Sequence, residues 1–424
     1  CYGNPRQAET KAGLPAGWFA EGMSAASLLK PEQQALADGQ RLLFLDGLRA
    51  LAALWVLFGH IYLFAIGWQA QSSWLARPFN LLMYLHLGVD IFLVLSGYCL
   101  ALPVVAHGGR IAAGLPAFFT ARALRILPPY FATLGLILLV NCFVPLAAWG
   151  RNDLGLTPDI SAAVWWTNLL LLQDVYGQYN NINAPFWSIA CEWHLYFVFP
   201  LLVLALRRAG VTWLLALGVL AAIVLTTLSS LYPRLPLIDA AVPQPPYFII
   251  LFVFGIAAAQ LSHGQRFAAV RSRIHQGAWW CAGLLLVLLA GVVAHYRIVD
   301  VASAIAFGQK HVLIDPLAAA FTAALLVALS GQQPGRGLRR VFEQRWLVRA
   351  GGFSYSLYLI HIPIAATVHN FAWQQPWAAQ LSALQMFMGQ AVVSGALCIG
   401  AAAVFARVFE RRIRWRPARR ASAG

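Results

Sequence analysis

The sequence predicts an all-α integral membrane bundle, and three observations predict it. Hydrophobic residues make up 60% of the 424 and charged residues only 11%, and the mean hydropathy of +0.67 is far outside the range of water-soluble domains. Apolar runs of about 17 to 25 residues, long enough to cross a bilayer as helices, recur along the chain. Lys and Arg gather on alternate connections between those runs, as the positive-inside rule requires. The formal net charge of +15 is therefore a matter of topology, and no basic face marks a nucleic-acid partner.

Residues 1–40 begin at Cys1 and are polar, with scattered Ala, Gly and Pro. They lack the charged and apolar regions of a signal peptide and read as a weakly ordered cytoplasmic tail. Ten candidate spans follow, near 43–65, 81–104, 127–148, 187–206, 211–229, 246–262, 277–296, 311–330, 353–372 and 381–406. Residues 41–410 thus form one transmembrane domain, and 411–424 a basic cytoplasmic tail. With the N-terminus inside, 24 Lys and Arg fall on the cytoplasmic side, five on the outer side, and Arg49 within a span. That asymmetry places both termini in the cytoplasm.

The longest outer connection, 149–186, carries Asp153, Asp159, Asp174, Trp165, Trp166 and the run Tyr179 to Asn183. Stacking rings and amides suit a sugar, and an aromatic interface belt has the same composition. Its apolar stretch 162–172 is too short to cross and reads as re-entrant or interfacial. The six cysteines, Cys1, Cys99, Cys142, Cys191, Cys281 and Cys398, show neither CxxC nor metal-ligand spacing and read as small core residues. No metal site is expected.

Charge inside a span is rarely without a partner or a task. The stretch from Arg41 to His60 holds Asp46, Arg49 and His60. Asp46 and Arg49, three apart, can neutralise each other at the helix end, or Arg49 can hold an anion such as phosphate in its planar fork. Eleven residues separate Arg49 from His60, about three turns and 16 Å of rise, so both face one way at different depths. That shared face favours a catalytic role for His60 over packing. Asp90, in GVDIFLVLSGY, is a lone carboxylate in an apolar run and calls for a partner, with Arg49 and His60 as candidates.

Arg122 and Arg125 precede the third span on one helix face, suited to a phosphate-bearing donor and equally to lipid headgroups. Glu192, in PFWSIACEWHLY, falls one to two turns below the outer surface, at the depth of His60. It either orients His60 for acid–base work on a hydroxyl or is satisfied by Tyr196 or His194. His361, in SYSLYLIH, sits at mid-depth, where it lines the same cavity or packs.

Taken in order, LDGLRALAALWVLFGH, GVDIFLVLSGY, RALRILPPY, FWSIACEWHLYFVFP and FSYSLYLIH make the chain, over about residues 41–410, resemble the acyltransferase family 3 membrane proteins. These O-acylate surface and secreted carbohydrates and some natural products. The family's Arg-X10-His arrangement matches Arg49 and His60, and its Arg-X-X-Arg pair matches Arg122 and Arg125. Its Trp-Ser…Glu…Tyr block matches Trp187, Ser188, Glu192 and Tyr196, with Trp193 standing where a second acid is common. Many relatives carry a fused C-terminal SGNH domain, and the expectation here is the stand-alone form.

The resemblance implies transfer of an acyl group, most often acetyl, from cytoplasmic acyl-CoA to a hydroxyl of a carbohydrate or glycolipid. The setting it implies is the bacterial inner membrane. Acyl-CoA is then a co-substrate and no cofactor is tightly bound. The donor side would fall to Arg49, Arg122, Arg125 and Tyr130, the chemistry to His60, Glu192 and Asp46, and substrate contact to Asp90, Trp187, Ser188, Tyr196, Tyr358 and His361. A transporter or flippase would use buried charges to line a solute path, and a lipid-binding scaffold would have no turnover. Against transport, the five blocks concentrate in spans one to four and nine, and paired interrupted spans in two halves are not evident.

Overall fold

The computed structural model describes residues 42–67, 77–141, 161–175, 182–231, 247–296, 311–373 and 375–410. Both expected tails, 1–40 and 411–424, lie outside the described residues. Among the described residues there are helices and turns and no strand. In chain order they are α1 (Leu43–Ile66), a 3-10 turn (Arg77–Met83), α2 (His86–Ala106), α3 (Gly114–Asn141), the short α4 (Ala162–Leu169) and α5 (Phe186–Leu231). Then come α6 (Phe248–His263), α7 (Arg271–Tyr296), α8 (His311–Ser330), the short α9 (Arg339–Phe342) and α10 (Arg345–Gly351), α11 (Ser354–Trp373) and α12 (Ala383–Phe405), which ends in a π turn, Ala406–Glu410.

Seven of these, α1, α2, α3, α5, α7, α8 and α12, are long and apolar enough to cross a membrane, and α6 is a shorter apolar helix. Over their described residues the ten expected segments fall largely on helices, although only seven helices have the length and apolarity of a span, and the boundary of the third differs. The segments 187–206 and 211–229 are two helices within α5 that meet at a kink at Gly210, whose backbone at φ 85°, ψ −179° is not helical, a conformation an L side chain resists. The third helix begins at Gly114 rather than 127, so Arg122 and Arg125 lie within it. Pro128 and Pro129 do not open α3 because the preceding Ala-, Leu- and Arg-containing segment is a good helix former, and Pro116 occupies its first turn, where a missing N–H matters least.

The layering follows the burial of each apolar stretch. Of an 18-residue apolar stretch in each helix, 67% in α1 and 72% in α2 is buried inside the bundle, against 17% in α5 and 11% in α7. Leu201, Trp280 and Val287 therefore present apolar surface outward, which in water would be a large exposed patch and in a bilayer is the lipid face. This is an integral membrane protein. The central helix α1 packs on α2, α10, α11 and α12, while α2 packs closely along α6. That last approach depends on two glycines: a Cβ on Gly97 would fall 2.1 Å from the Phe252 carbonyl oxygen, and one on Gly255 would fall 2.0 Å from that of Val94. Small residues at a membrane helix contact let the backbones meet.

Candidate active site

Five helices converge on a partly enclosed cavity of about 70 Å³. α1 supplies Arg49, α2 supplies Phe92, Ser96 and Cys99, α3 supplies Arg122 and Arg125, α5 supplies Ser188, Glu192 and Tyr196, and α11 supplies Ser354, Tyr355 and Tyr358. At one end Arg49 donates to Asp46 Oδ1 at 3.2 Å and to Cys99 Sγ at 2.9 Å. Arg122 and Arg125, one turn apart on α3, face the same space, and the Nε of Arg122 has no partner among the described residues. Glu192 accepts from Ser96 Oγ at 2.6 Å and from the Tyr196 hydroxyl at 2.7 Å. Three guanidinium groups against the carboxylates of Asp46 and Glu192 leave this end suited to an anion with several oxygens, such as a phosphate.

The other end is closed by rings and hydroxyls. Phe92 meets Tyr358 edge to face with centroids 5.7 Å apart, and the Tyr358 hydroxyl lies 2.7 Å from Ser188 Oγ. Behind Tyr358, at 6.0 Å between ring centroids, stands His361, whose Nε2 is 3.2 Å from His60 Nδ1. The ring nitrogens can be assigned from their neighbours. His361 Nδ1 faces the carbonyls of Leu357 (3.1 Å) and Tyr358 (2.9 Å), so it carries the hydrogen and Nε2 keeps a lone pair. His60 Nδ1 lies 2.9 Å from the Val56 carbonyl and faces that lone pair, so it too carries the hydrogen. His60 Nε2 is left as the unprotonated nitrogen, the form a general base needs.

The structure brings together Arg49, Arg122, Arg125, Glu192, Tyr196, Ser188 and Tyr358 around one cavity, and sets His60 with His361 behind its far wall. It does not bring Glu192 to His60: the partners of Glu192 are Ser96 and Tyr196, and that of His60 is His361. Asp90, fully buried, lies neither with Arg49 nor with His60 but beside Asp315 of α8. Asp315 in turn accepts from the hydroxyls of Tyr84 and, at 2.9 Å, Tyr247. Tyr130 is buried away from the cavity lining, donating to the Asn168 carbonyl at 2.7 Å. Trp187 stacks on Phe248 at 5.7 Å and lies 5.9 Å from the His86 ring. Among the described residues no group of three or more His, Cys, Asp or Glu is placed to hold a metal ion.

Of the outer connection, Asp153, Asp159 and Tyr179 to Asn181 lie outside the described residues. The expected short stretch forms α4, capped by Ser161, and the following Gln173 is buried and donates to the Phe186 carbonyl at 2.9 Å. Asp174 is bonded to His194 Nδ1 at 2.9 Å. Burial holds its carboxyl above the usual aspartate value, with His194 pulling the other way.

Sequence reasoning passed over Phe92, Ser96 and Cys99, although their i, i+4, i+7 spacing puts them on one face of α2. Cys99, expected as a core residue, instead touches Arg49 in the cavity. Asp315 was legible by the rule that singled out Asp90, a carboxylate in an apolar run.

The site is thus an arginine-lined cavity inside an apolar helical bundle, with a paired histidine behind one wall. The chain belongs to acyltransferase family 3, whose profile, described as an acyltransferase domain, matches residues 42–407. It is an enzyme that transfers acyl groups. It is 27% identical over 387 residues to the acyltransferase MdmB of Streptomyces mycarofaciens, a match covering 84% of this chain and 89% of that one. A protein of Staphylococcus aureus strain COL named as an O-acetyltransferase is 29% identical over 171 residues, 38% of this chain and 24% of its own length. Bacillus subtilis YrhL, named as a peptidoglycan O-acetyltransferase, is 26% identical over 165 residues, 37% of this chain and 23% of its own. No solved structure matches the chain.

Proposed function

We propose that the enzyme moves an acyl group, most simply acetyl, from cytoplasmic acyl-CoA to a hydroxyl of a carbohydrate or glycolipid acceptor at the bacterial inner membrane. One observation carries this reading: a cavity with three arginines at one end and the His60–His361 pair behind the other. CoA is rich in phosphate, and Arg49, Arg122 and Arg125 offer forked donors to it, while Asp46 keeps Arg49 oriented. Glu192, with Ser96 and Tyr196, belongs to this donor end. Acyl-CoA acts as co-substrate, with no tightly bound cofactor. The relatives named for O-acetyl transfer, one of them for peptidoglycan, support a sugar hydroxyl as acceptor.

In the reaction, His60 Nε2 takes the proton of the acceptor hydroxyl as its oxygen forms a bond to the thioester carbonyl carbon. The carbon–sulfur bond then breaks and the CoA thiolate leaves with that proton, returned by the imidazolium. His361 Nε2, accepting from His60 Nδ1–H, stabilises the positive charge that His60 carries meanwhile. Ser188 and Tyr358 hydroxyls stand on the wall nearest this step, where a donor can polarise the carbonyl. The test is acyl-CoA consumption by purified protein in proteoliposomes. It should rise when a cell-wall glycan is added, and Arg122→Gln should raise KM for acyl-CoA by at least about tenfold, the loss of one charged hydrogen bond. Solute flux with no release of CoA would refute it.

A further inference from the structure

The donor cavity changes character along its length. Along α2 its lining runs from Cys99 and Leu100 at the arginine end, past Ser96, to Phe92 and Val89 at the other, a span of about 16 Å at helical rise. α5 lies parallel beside it, as the Ser96–Glu192 bond and the approach of His86 to Trp187 show, and adds Ile189 at the same far level. Val89 and Ile189 are buried, at 5% and 4% exposure. The far end therefore has apolar walls of Val89, Phe92, Leu93 and Ile189 and a rim formed by the hydrogen-bonded Ser188–Tyr358 pair.

We infer that this apolar end receives the acyl chain of the donor, and that Phe92 and Val89 set the longest chain the enzyme accepts. The inference rests on the acyl-CoA reading above. With phosphates at the arginines, the thioester points toward Tyr358 and His60, and an acyl tail running beyond the carbonyl meets the Phe92 ring. A short acyl group fits in front of that ring, and each further methylene must displace it. Apolar walls reward methylenes that they can enclose, by about fourfold each, and reject those that they cannot.

Purified full-length protein can be assayed for displacement of radiolabelled acetyl-CoA by propionyl-, butyryl- and hexanoyl-CoA. In the wild type, affinity should fall with chain length. Phe92→Ala should raise the preference for hexanoyl- over acetyl-CoA by at least about tenfold, from two or more methylenes newly enclosed. Val89→Phe should shift it the other way and weaken propionyl- and butyryl-CoA, so the inference does not depend on one variant folding. Leu100→Ala, at the arginine end, should leave the order unchanged. Saturable acetyl-CoA binding with an order that neither Phe92→Ala nor Val89→Phe alters, or that Leu100→Ala alters equally, overturns the inference alone. Absence of saturable acetyl-CoA binding to the wild type overturns the donor reading as well.

Discussion

Replacing His361 with Phe keeps the ring volume but removes the nitrogen that accepts from His60 Nδ1–H at 3.2 Å. During proton transfer His60 becomes an imidazolium, and a hydrogen bond to a charged group is worth about 1.5–3 kcal/mol. At about 1.4 kcal/mol per decade this is a loss of about ten- to a hundredfold in kcat. The lower part of that range is favoured because the Val56 carbonyl, 2.9 Å away, still accepts from the same N–H. KM for acyl-CoA should not move, since His361 does not line the arginine-bearing cavity. The measurement is steady-state kinetics in detergent or nanodiscs, with thermal unfolding of each variant alongside. Wild-type kcat in His361→Phe, or a loss fully tracked by a fall in Tm, would refute the pairing as part of the chemistry.

Two further predictions concern the scaffold. Gly255→Ala places a methyl 2.0 Å from the Val94 carbonyl oxygen and forces α2 and α6 apart. Overpacking of this kind costs about 1–3 kcal/mol, so Tm should fall by several degrees, while Gly283→Ala, mid-helix in α7 and meeting nothing within 4 Å, should not lower it. Asp174→Asn removes a carboxyl that burial keeps above its usual value. A raised value means that the folded state holds the proton more firmly than the unfolded state does. The resulting penalty is absent below the ordinary aspartate value of 3.8 and sets in as pH rises past it. Tm measured from pH 4 to 8 should therefore fall in the wild type relative to Asp174→Asn, and an unchanged difference would refute the burial argument.

Much of the fold was legible because a bilayer leaves few choices: a run of apolar residues that cannot expose its backbone must be helical. The boundary of α3 was not, because the Pro128–Pro129 pair resembles a helix start, whereas mid-helix prolines are tolerated in membranes when other groups satisfy the freed carbonyls. At the site, Arg122 and Arg125 of α3 line one cavity with Arg49, whereas His60, eleven residues on from Arg49, stands outside that lining and meets His361. Depth alone suggested that Glu192 meets His60. Depth does not specify azimuth, and in the bundle α5 turns Glu192 toward Ser96 while α11 carries His361 to His60. The tautomers of both histidines depended on the backbone carbonyls of Val56, Leu357 and Tyr358, which no side-chain pattern records.

The assignment of His60 as the base is tested most directly by comparing wild type and His60→Ala for binding and transfer of radiolabelled acetyl-CoA. His60→Ala should bind the donor with wild-type affinity, because His60 pairs with His361 and does not line the arginine-bearing cavity. Its transfer of label to a glycan acceptor should drop by about 10²–10⁴-fold, the usual contribution of a positioned base. Transfer by purified His60→Ala at the wild-type rate would contradict the assignment.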